Sequence, residues 1–432
     1  MSLWFHDFKA FIKENYITLK VFFLIFILFY LLTGAIILVS KDYPRTTSYA
    51  NSFNACTNAK TIKAVNPDID PAEIPDDQEA LKASISTFFN KLYSTRNSSF
   101  ITGNVENLYN YFIMNTNDGS YSLHHEFKRI AYLRDWANER NITFTSITSY
   151  PNIRYIRGGP NTFNIRVDEE YKFEYVYNDE PDVKNEFGVS LFHIIKLNKN
   201  NTSYKIANDY YLDCFEDGLK RYSFTLKEKE IPITKESTYN INLKRNDVKT
   251  PKNKKLNREA CKGYANKYCG VTWASKNPTK YNKKYFNFTG SGGNCTNYVS
   301  QCLGDKEGGA LPNDSSWYFV TQKQEGSVAW LNADGFKNYI LYSGKGKVVK
   351  KADFPNSLKP LKDGSFVFKN LYVGDLVSYD KKNDIDHNAI ITGFDSKGYP
   401  LINSHTVDRY QVPFDLGWGD KDINFYFIHV VA

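Results

Sequence analysis

Residues 292–303 read GGNCTNYVSQCL, and this stretch decides how the C-terminal part of the 432-residue chain folds. The two glycines let the backbone approach a substrate without side chains, and Asn294 is a residue type favoured at a helix N-cap. Apolar residues then recur at helical spacing, which predicts a helix packed on a core. Cys295 falls in its first turn, where free N–H groups and the helix dipole favour a thiolate. Most free cysteines are small buried hydrophobic residues, so a nucleophile also needs a partner.

A candidate base lies downstream, in a predicted hairpin. His387 opens a strand-like run, and after a short turn a second strand covers residues 399–406. If the two strands pair, His387 lies near the ladder position of His405. Asn403 shares a face with His405, because side chains alternate along a strand. The sequence therefore predicts a Cys–His–polar triad on a helix and an antiparallel sheet, with either His405 or Asn403 as the third member.

Residues 292–303 resemble the Gly-Asp-Cys-Thr-Asn-Phe-Val-Ser-Gln signature of the putative amidase domain family of Gram-positive bacteria. That family is a branch of the papain-like group that includes the CHAP amidases and related peptidoglycan endopeptidases. Further matching pieces follow the same order along the chain: Asn257-Arg258, Tyr264-Ala265, Asn277-Pro278, Gly308-Gly309, Trp317, Trp330, Val373-Gly374-Asp375-Leu376-Val377, Asp386-His387 and Ser404-His405-Thr406. The resemblance covers residues 256–432 and implies a papain-like domain there. One departure is Asn294, where the family usually carries Asp.

The resemblance also implies a reaction, the hydrolysis of an amide bond in peptidoglycan. The thiolate of Cys295 would attack the carbonyl, and His387 would move the proton to the leaving amine. The resemblance favours His405 over Asn403 as the residue that orients His387. This chemistry needs no metal and no organic cofactor.

Three residues are candidates for substrate binding. Tyr285 precedes the glycine loop, where a tyrosine often faces the nucleophile in related peptidoglycan peptidases. Asn294 lies next to the thiol. Trp317 could line a sugar- or peptide-binding cleft, although large apolar residues more often belong to the core.

The first part of the chain predicts a membrane anchor. Residues 21–39 read VFFLIFILFYLLTGAIILV, which is long enough to span a bilayer core of ~30 Å as a helix. A cleavable signal peptide would have a shorter apolar region and a small-x-small site. The run therefore predicts an uncleaved signal anchor, with residues 1–20 in the cytoplasm. Residues 40–75 are a proline-containing linker, and the bulk of this single-pass protein is expected to be extracellular.

Residues 76–217 predict a separate α+β domain. Helical patterns come first and alternating strand patterns follow, an order that predicts an α+β cone and resembles NTF2-like domains. His124 and His125 are adjacent on a helix and point in different directions, so they do not indicate a metal site. His193 lies in an apolar strand as a core histidine. The domain is expected to be a packing or spacer unit, with a pocket for an envelope protein partner as the alternative.

Residues 218–255 are basic and predict a solvated linker. The alternative interpretation is a segment that binds a polyanion such as wall teichoic acid. The net charge of +8 suits a protein near an anionic surface. No groove-reading element accompanies the basic residues, so nucleic acid is not an indicated partner.

Cys295 and Cys302 would lie roughly 10 Å apart on one helix, which excludes a disulfide between them.

Two main functions fit these patterns, and a non-wall amidase or transpeptidase that acts on protein or small amides is a third possibility. The first is a membrane-anchored, extracellular cysteine amidase or endopeptidase that acts on peptidoglycan. The second is a non-catalytic cell-envelope scaffold of a secretion or conjugation machine. The presence of Cys295, His387 and His405 together favours the enzyme.

Overall fold

The structure is a computed structural model that describes residues 61–62, 79–201, 203–243, 245, 248, 250 and 255–431. The described residues belong to one compact unit. Its fold is α+β with a large antiparallel sheet, which confirms the predicted fold class at that level.

The described chain starts with a short strand and two long helices: β1 (Thr61–Ile62), α1 (Glu79–Thr102) and α2 (Asn117–Glu139). α1 buries Ile85, Phe89 and Leu92, which recur at helical spacing. Thr116 caps α2, because its side chain accepts the backbone N–H of Gly119 at 3.3 Å. Apolar spacing and a cap therefore account for both helices.

Four long strands then form one end of the sheet. They are β2 (Ile142–Gly158), β3 (Thr162–Tyr177), β4 (Glu180–Asn200) and β5 (Ser203–Tyr210). The remaining helices are α3 (Glu216–Leu219), α4 (Arg258–Lys267), α5 (Thr272–Ser275), α6 (Cys295–Gly304), α7 (Val328–Leu331), α8 (Ala333–Tyr342) and α9 (Phe354–Ser357). The remaining strands are β6 (Phe319–Val320), β7 (Glu325–Ser327), β8 (Gly346–Ala352), β9 (Leu376–Lys381), β10 (Asp384–Phe394), β11 (Pro400–Ser404), β12 (Asp408–Pro413) and β13 (Asn424–Val430).

The strand order of the large sheet is β2-β3-β4-β12-β11-β10-β9-β13-β8, and β5 pairs with β4. The predicted hairpin is confirmed, since β10 and β11 pair antiparallel with Ile390 opposite Asn403. β12 pairs with β4, with Asp408 opposite Ser190 and Tyr410 opposite Gly188. Strands from the predicted domains 76–217 and 256–432 thus belong to one sheet, and the domain division stays a prediction.

The two faces of the sheet carry different cores. On β10, Ile390 packs into a cluster with residues of α4, α6 and α8. Its neighbours Ala389 and Ile391 pack into a larger cluster on the other face. Because side chains alternate along a strand, both faces of β10 are buried. α6, which carries Cys295, therefore lies on one defined face of the sheet.

The described part of the chain contains no membrane-spanning helix, which is contrary to the predicted single-pass membrane protein. A bilayer-spanning helix needs about 20 consecutive, largely apolar residues. Among the described residues, no helix is both long and apolar enough. This finding contradicts the predicted single-pass localisation and the membrane anchor in the predicted fold class. Residues 21–39 and 1–20 lie outside the described residues, as does the linker 40–75 except for β1.

A buried ionic cluster lies between α1, α2 and the strands β3–β5. Arg96 Nη1 donates to Glu169 Oε2 at 3.2 Å, and His193 Nδ1 lies 3.0 Å from Asp209 Oδ1. Arg129 Nε lies 3.0 Å from a carboxylate of the same cluster. Such charges are tolerated in a core only when they are paired. His193 is therefore a core histidine, as predicted, with Asp209 on Nδ1 and Glu169 Oε2 at 3.3 Å from Nε2.

The charged cluster predicts a stability optimum in mildly acidic solution. Burial alone would raise the pKa of Glu169, but Arg96 and His193 outweigh it and lower that pKa from 4.5 to about 2. Its stabilisation is therefore lost as pH falls from 4.5 towards 2. Burial alone would lower the pKa of His193, but Asp209 and Glu169 raise it from 6.5 to about 9. Its stabilisation is full below pH 6.5 and is lost as pH rises through about 9.

We expect the free energy of unfolding of the wild type to fall by up to about 3 kcal/mol between pH 6.5 and 9.5. The His193→Gln variant should be less stable at pH 6 and should lose most of this dependence. Urea unfolding at several pH values measures both effects. His429→Gln is the control, because that half-buried histidine lies outside the cluster. An unchanged pH slope in His193→Gln would contradict the prediction.

Candidate active site

The loop before α6 brings Cys295 to the protein surface. Gly292 has a φ of +104°, a conformation that side-chain-bearing residues rarely adopt. A Cβ placed on Gly292 would meet no atom within 4 Å, so the loop borders open space. Behind the loop, α6 buries Tyr298, Val299 and Cys302. The buried helix face therefore fixes the position of the thiol at the edge of the open space.

Asn294 occupies the N-cap position of α6, but its side chain makes no capping hydrogen bond. Its Oδ1 instead accepts the backbone N–H of Phe288 at 3.1 Å and the side-chain amide of Asn297 at 2.8 Å. Its Nδ2 lies 2.7 Å from Nδ1 of His405. Asn294 therefore lies at the predicted N-cap position but does not cap the helix, because its side chain makes hydrogen bonds with Phe288, Asn297 and His405 instead. The first N–H groups of α6 receive no cap from this residue.

The thiol of Cys295 differs from the other described cysteines in its exposure. It is half-buried, whereas Cys214, Cys261, Cys269 and Cys302 are buried. Burial raises the pKa of the Cys295 thiol above 9.0, while hydrogen bonds from the backbone of Asn388 and from Thr296 act in the opposite direction. The resting thiol is therefore protonated at neutral pH, with donors already in place for the thiolate.

His387 lies on β10, but its ring points away from α6. The neighbouring Asn388 is the residue whose side chain contacts α6, donating to Thr296 Oγ1 at 3.0 Å. Because side chains alternate, the His387 ring lies on the other face of the sheet. There its centroid lies 5.4 Å from that of Tyr379 and 5.8 Å from that of Trp418. Its Nε2 is buried with no hydrogen-bond partner among the described residues, and burial holds its pKa well below 6.5.

His405 lies on the same side of the sheet as α6, and both of its ring nitrogens are engaged. Nδ1 accepts from the Asn294 amide at 2.7 Å, so the ring proton lies on Nε2, which is 2.7 Å from the Tyr268 carbonyl oxygen. Burial lowers the pKa of His405 from 6.5 to about 3. The ring also stacks on Tyr298 of α6, with centroids 3.9 Å apart. His405 therefore stabilises the loop before Cys295 as a neutral ring.

Asn403 is also engaged away from His387. Its Oδ1 accepts from Thr392 Oγ1 and from the backbone N–H of Gln411, both at 2.8 Å. Its Nδ2 donates to Asn266 Oδ1 at 3.0 Å. The structure thus places His405 beside the loop of Cys295 and gives Asn403 other partners. Neither residue makes a hydrogen bond with the His387 ring in the described part of the chain.

Tyr285 and Trp317 are core residues in the structure. The Tyr285 hydroxyl donates to Asp305 Oδ2 at 2.6 Å, and its ring stacks on Trp330. Trp317 is fully buried, and its Nε1 donates to Ser300 Oγ of α6 at 3.1 Å. Both side chains therefore support α6 from behind, and Asn294 is the candidate that remains next to the thiol.

Two positions near Cys295 were missed by sequence reasoning. Asn388 joins three elements, since it also accepts from Ser378 Oγ and donates to the carbonyl oxygen of Ala333. Thr406 Oγ1 accepts the backbone N–H of Asn294 at 2.6 Å. A buried polar residue in an otherwise apolar strand was the available signal for Asn388, because such groups need partners.

The loop geometry predicts the effect of restoring the aspartate that stands at position 294 in the resembling family. In Asn294→Asp, an acceptor oxygen would face the lone pair of His405 Nδ1, and only a protonated nitrogen would be stable there. We expect the pKa of His405 to rise by roughly 1–3 units. An NMR titration of the ring nitrogens measures it. Asn313→Asp, an exposed site with the same charge change, is the control. An unmoved His405 pKa in Asn294→Asp would contradict this geometry.

One protein-family model matches the part of the chain that contains Cys295. Residues 255–428 match the family model described as a putative amidase domain. The match contains Cys295, His387 and His405, and it leaves α1, α2 and the strands β2–β5 outside.

Two proteins of Bacillus subtilis (strain 168) are similar to this chain. The uncharacterized protein YhbB is 31% identical over 170 residues, which are 37% of this chain and 49% of YhbB. The uncharacterized protein YjcM is 28% identical over 217 residues, which are 48% of this chain and 46% of YjcM. The chain thus spans about half the length of these curated relatives. No solved structure matches the chain.

Proposed function

We propose that this protein hydrolyses amide bonds with Cys295 as the nucleophile, and that its substrate is peptidoglycan. The observation that carries the proposal is the half-exposed thiol at the first position of α6, beside an open glycine loop. The match of residues 255–428 to a putative amidase domain supports the type of bond. The net charge of +8 supports an anionic polymer as the substrate.

The proposed reaction begins with transfer of the thiol proton to a base. The Cys295 sulfur then bonds to the amide carbonyl carbon, and the uncapped N–H groups at the start of α6 stabilise the developing oxyanion. The C–N bond breaks as the leaving amine takes the proton back from the base. Water then hydrolyses the thioester and releases the carboxylic acid and the thiol.

We propose His387 as that base, which requires its ring to turn towards α6. The pairing of β10 with β9 shifts register between Ile385 and His387, so that Asp386 falls between two paired residues. Such irregularities re-aim side chains next to active sites, and here the skipped residue is Asp386, while His387 stays paired with Tyr379. The backbone N–H of Asn388, the next residue, already interacts with the Cys295 sulfur. To reach the thiol, the ring must leave its packing against Tyr379 and Trp418 and cross to the other face of the sheet, which requires a change in the backbone of β10 at this irregularity.

A second candidate function is a non-catalytic binding protein of the cell envelope, which could bind a partner through residues 76–217. The position of the His387 ring, on the face of the sheet opposite α6, favours this alternative. The engaged nitrogens of His405 favour it too, because neither can accept a proton from the thiol without losing a hydrogen bond.

Digestion of purified peptidoglycan by the full chain separates the two candidates. Wild type and Cys295→Ala are compared, and the released fragments are analysed by mass spectrometry. Release that depends on Cys295 supports the hydrolase, and the new ends identify the amide bond that is cut. Equal inactivity of both proteins on walls from several species would favour the binding protein.

A further inference from the structure

A groove of about 510 Å³ runs along α8, on the part of the molecule next to the Cys295 helix. Its lining is rich in hydroxyl, amide and aromatic groups, and includes Asp314, Ser316, Asn338, Tyr339, Tyr342 and Ser343. This volume lies within the range of ~300–1,000 Å³ typical of ligand sites. We call this feature the α8 groove.

Two tyrosines give the α8 groove an aromatic surface. Tyr342 is 87% exposed, the highest exposure of the large hydrophobic side chains in the described chain. Tyr339 stacks on the buried Trp317, with ring centroids 5.7 Å apart and planes inclined by 20°. One ring is therefore rigidly backed by the core, and the other is fully open to a ligand.

The polar groups of the groove are held in place beside these rings. Asp314 accepts the backbone N–H groups of Ser316 at 2.9 Å and of Trp317 at 3.1 Å. Lys345 Nζ donates to the same carboxylate at 2.8 Å, and the Tyr339 hydroxyl donates to it as well. The charge of Asp314 is thus paired, so the groove offers fixed hydrogen-bonding groups without a strong unpaired charge.

The groove is connected to the candidate active site by α8 itself. The helix begins at Ala333, whose carbonyl oxygen accepts from Asn388 Nδ2 at 3.2 Å. The same Nδ2 donates to Thr296, the neighbour of Cys295. Tyr342 lies nine residues along α8, about 14 Å at a rise of 1.5 Å per residue. The groove therefore lies along a helix whose first residue shares the Asn388 amide with Thr296, the neighbour of Cys295.

We propose that the α8 groove binds a glycan, as a polymer subsite of the enzyme. A pyranose ring presents a face of C–H groups, which suits the electron-rich face of an exposed tyrosine. Its hydroxyl and acetamido groups project at the rim, where the Asn338 amide and the Ser343 hydroxyl supply donors and acceptors. The assignment to peptidoglycan rests on the proposed function, whereas glycan binding by the groove does not require hydrolysis.

Binding is tested with the full chain carrying Cys295→Ala, so that no substrate is consumed. The probes are oligomers of N-acetylglucosamine and, separately, the stem peptide without sugar, and binding is measured by calorimetry. Adding Tyr342→Ala should raise the Kd for the oligomer at least tenfold. Adding Tyr121→Ala, which removes another exposed tyrosine (65% exposed) from α2, should leave the Kd unchanged.

Each outcome decides the proposal. Oligomer binding that depends on Tyr342 supports it, even if the wild type hydrolyses no wall, in which case only the proposed hydrolase is lost. Absence of oligomer binding overturns it, as does binding that is insensitive to Tyr342→Ala. Binding of the stem peptide alone, weakened by Tyr342→Ala, also overturns it, because the groove would then be a peptide subsite.

Discussion

Replacing Cys295 with alanine is expected to lower kcat/KM for amide hydrolysis by roughly 10⁴-fold or more, because the covalent intermediate can no longer form. Peptidoglycan fragment release or a soluble amide substrate gives the measurement. Circular dichroism checks that the variant folds, which we expect because the side chain is half-buried at the start of α6. Activity retained in Cys295→Ala would contradict the nucleophile assignment.

Alkylation by iodoacetamide gives the matched control for this result. In the folded chain Cys295 should react before Cys214, Cys261, Cys269 and Cys302, which are buried. Its rate should keep rising above pH 9, since burial raises the pKa of this thiol and only the thiolate reacts.

Hydrolysis at neutral pH would then require a base. His387→Ala should reduce it by roughly 10²–10⁴-fold, and full activity in that variant would place the base elsewhere.

Replacing Asp415 with alanine is expected to destabilise the protein by about 3 kcal/mol, because the buried Arg140 loses the nearer of two carboxylates and keeps only Asp420, at 3.0 Å, on the same nitrogen. Asp415 Oδ2 accepts from Arg140 Nη2 at 2.6 Å and from Trp136 Nε1 at 2.9 Å. Its Oδ1 accepts from the Tyr399 hydroxyl. Arg140 is fully buried, so its charge cannot be resolvated without local unfolding.

Urea unfolding measures the loss in Asp415→Ala. Asp422→Ala removes an exposed carboxylate a few residues away and should change the free energy of unfolding by less than about 0.5 kcal/mol. Asp415→Asn keeps an acceptor and should fall between the two variants. If Asp415→Ala and Asp422→Ala unfold at the same urea concentration, the buried network does not stabilise the contact between α2 and the chain around Tyr399 and Asp415.

The hairpin of β10 and β11 could be predicted from the sequence, whereas the face that meets α6 could not. Alternation selects a face only when one side of a strand is polar. On β10 both His387 with Ala389 and Asn388 with Ile390 are buried. The local sequence pattern therefore does not show which of the two pairs faces the thiol. The packing of α6 and α8 against β10 determines that Asn388 and Ile390 do.

Long-range partners explain the other differences. Asn294 was correctly placed at the start of α6, but His405 lies more than a hundred residues away and takes its side chain. Trp317 and Tyr285 have the size and polarity of cleft residues, yet they pack behind α6. The pairing of β4 with β12 joins segments far apart in sequence, and no local periodicity encodes such a partner.

The pairing of β4 with β12 also shields what would otherwise be a bare edge. Without β4, the backbone N–H and C=O groups along Asp408–Tyr410 would be open to any passing strand. Such edges template aggregation, and proteins protect them with charge, proline, bulges or cover. A related amidase-type segment can therefore be joined to a different domain only under one condition. Either that domain covers the same strand edge, or the amidase-type segment carries charged residues, proline or a bulge on that edge.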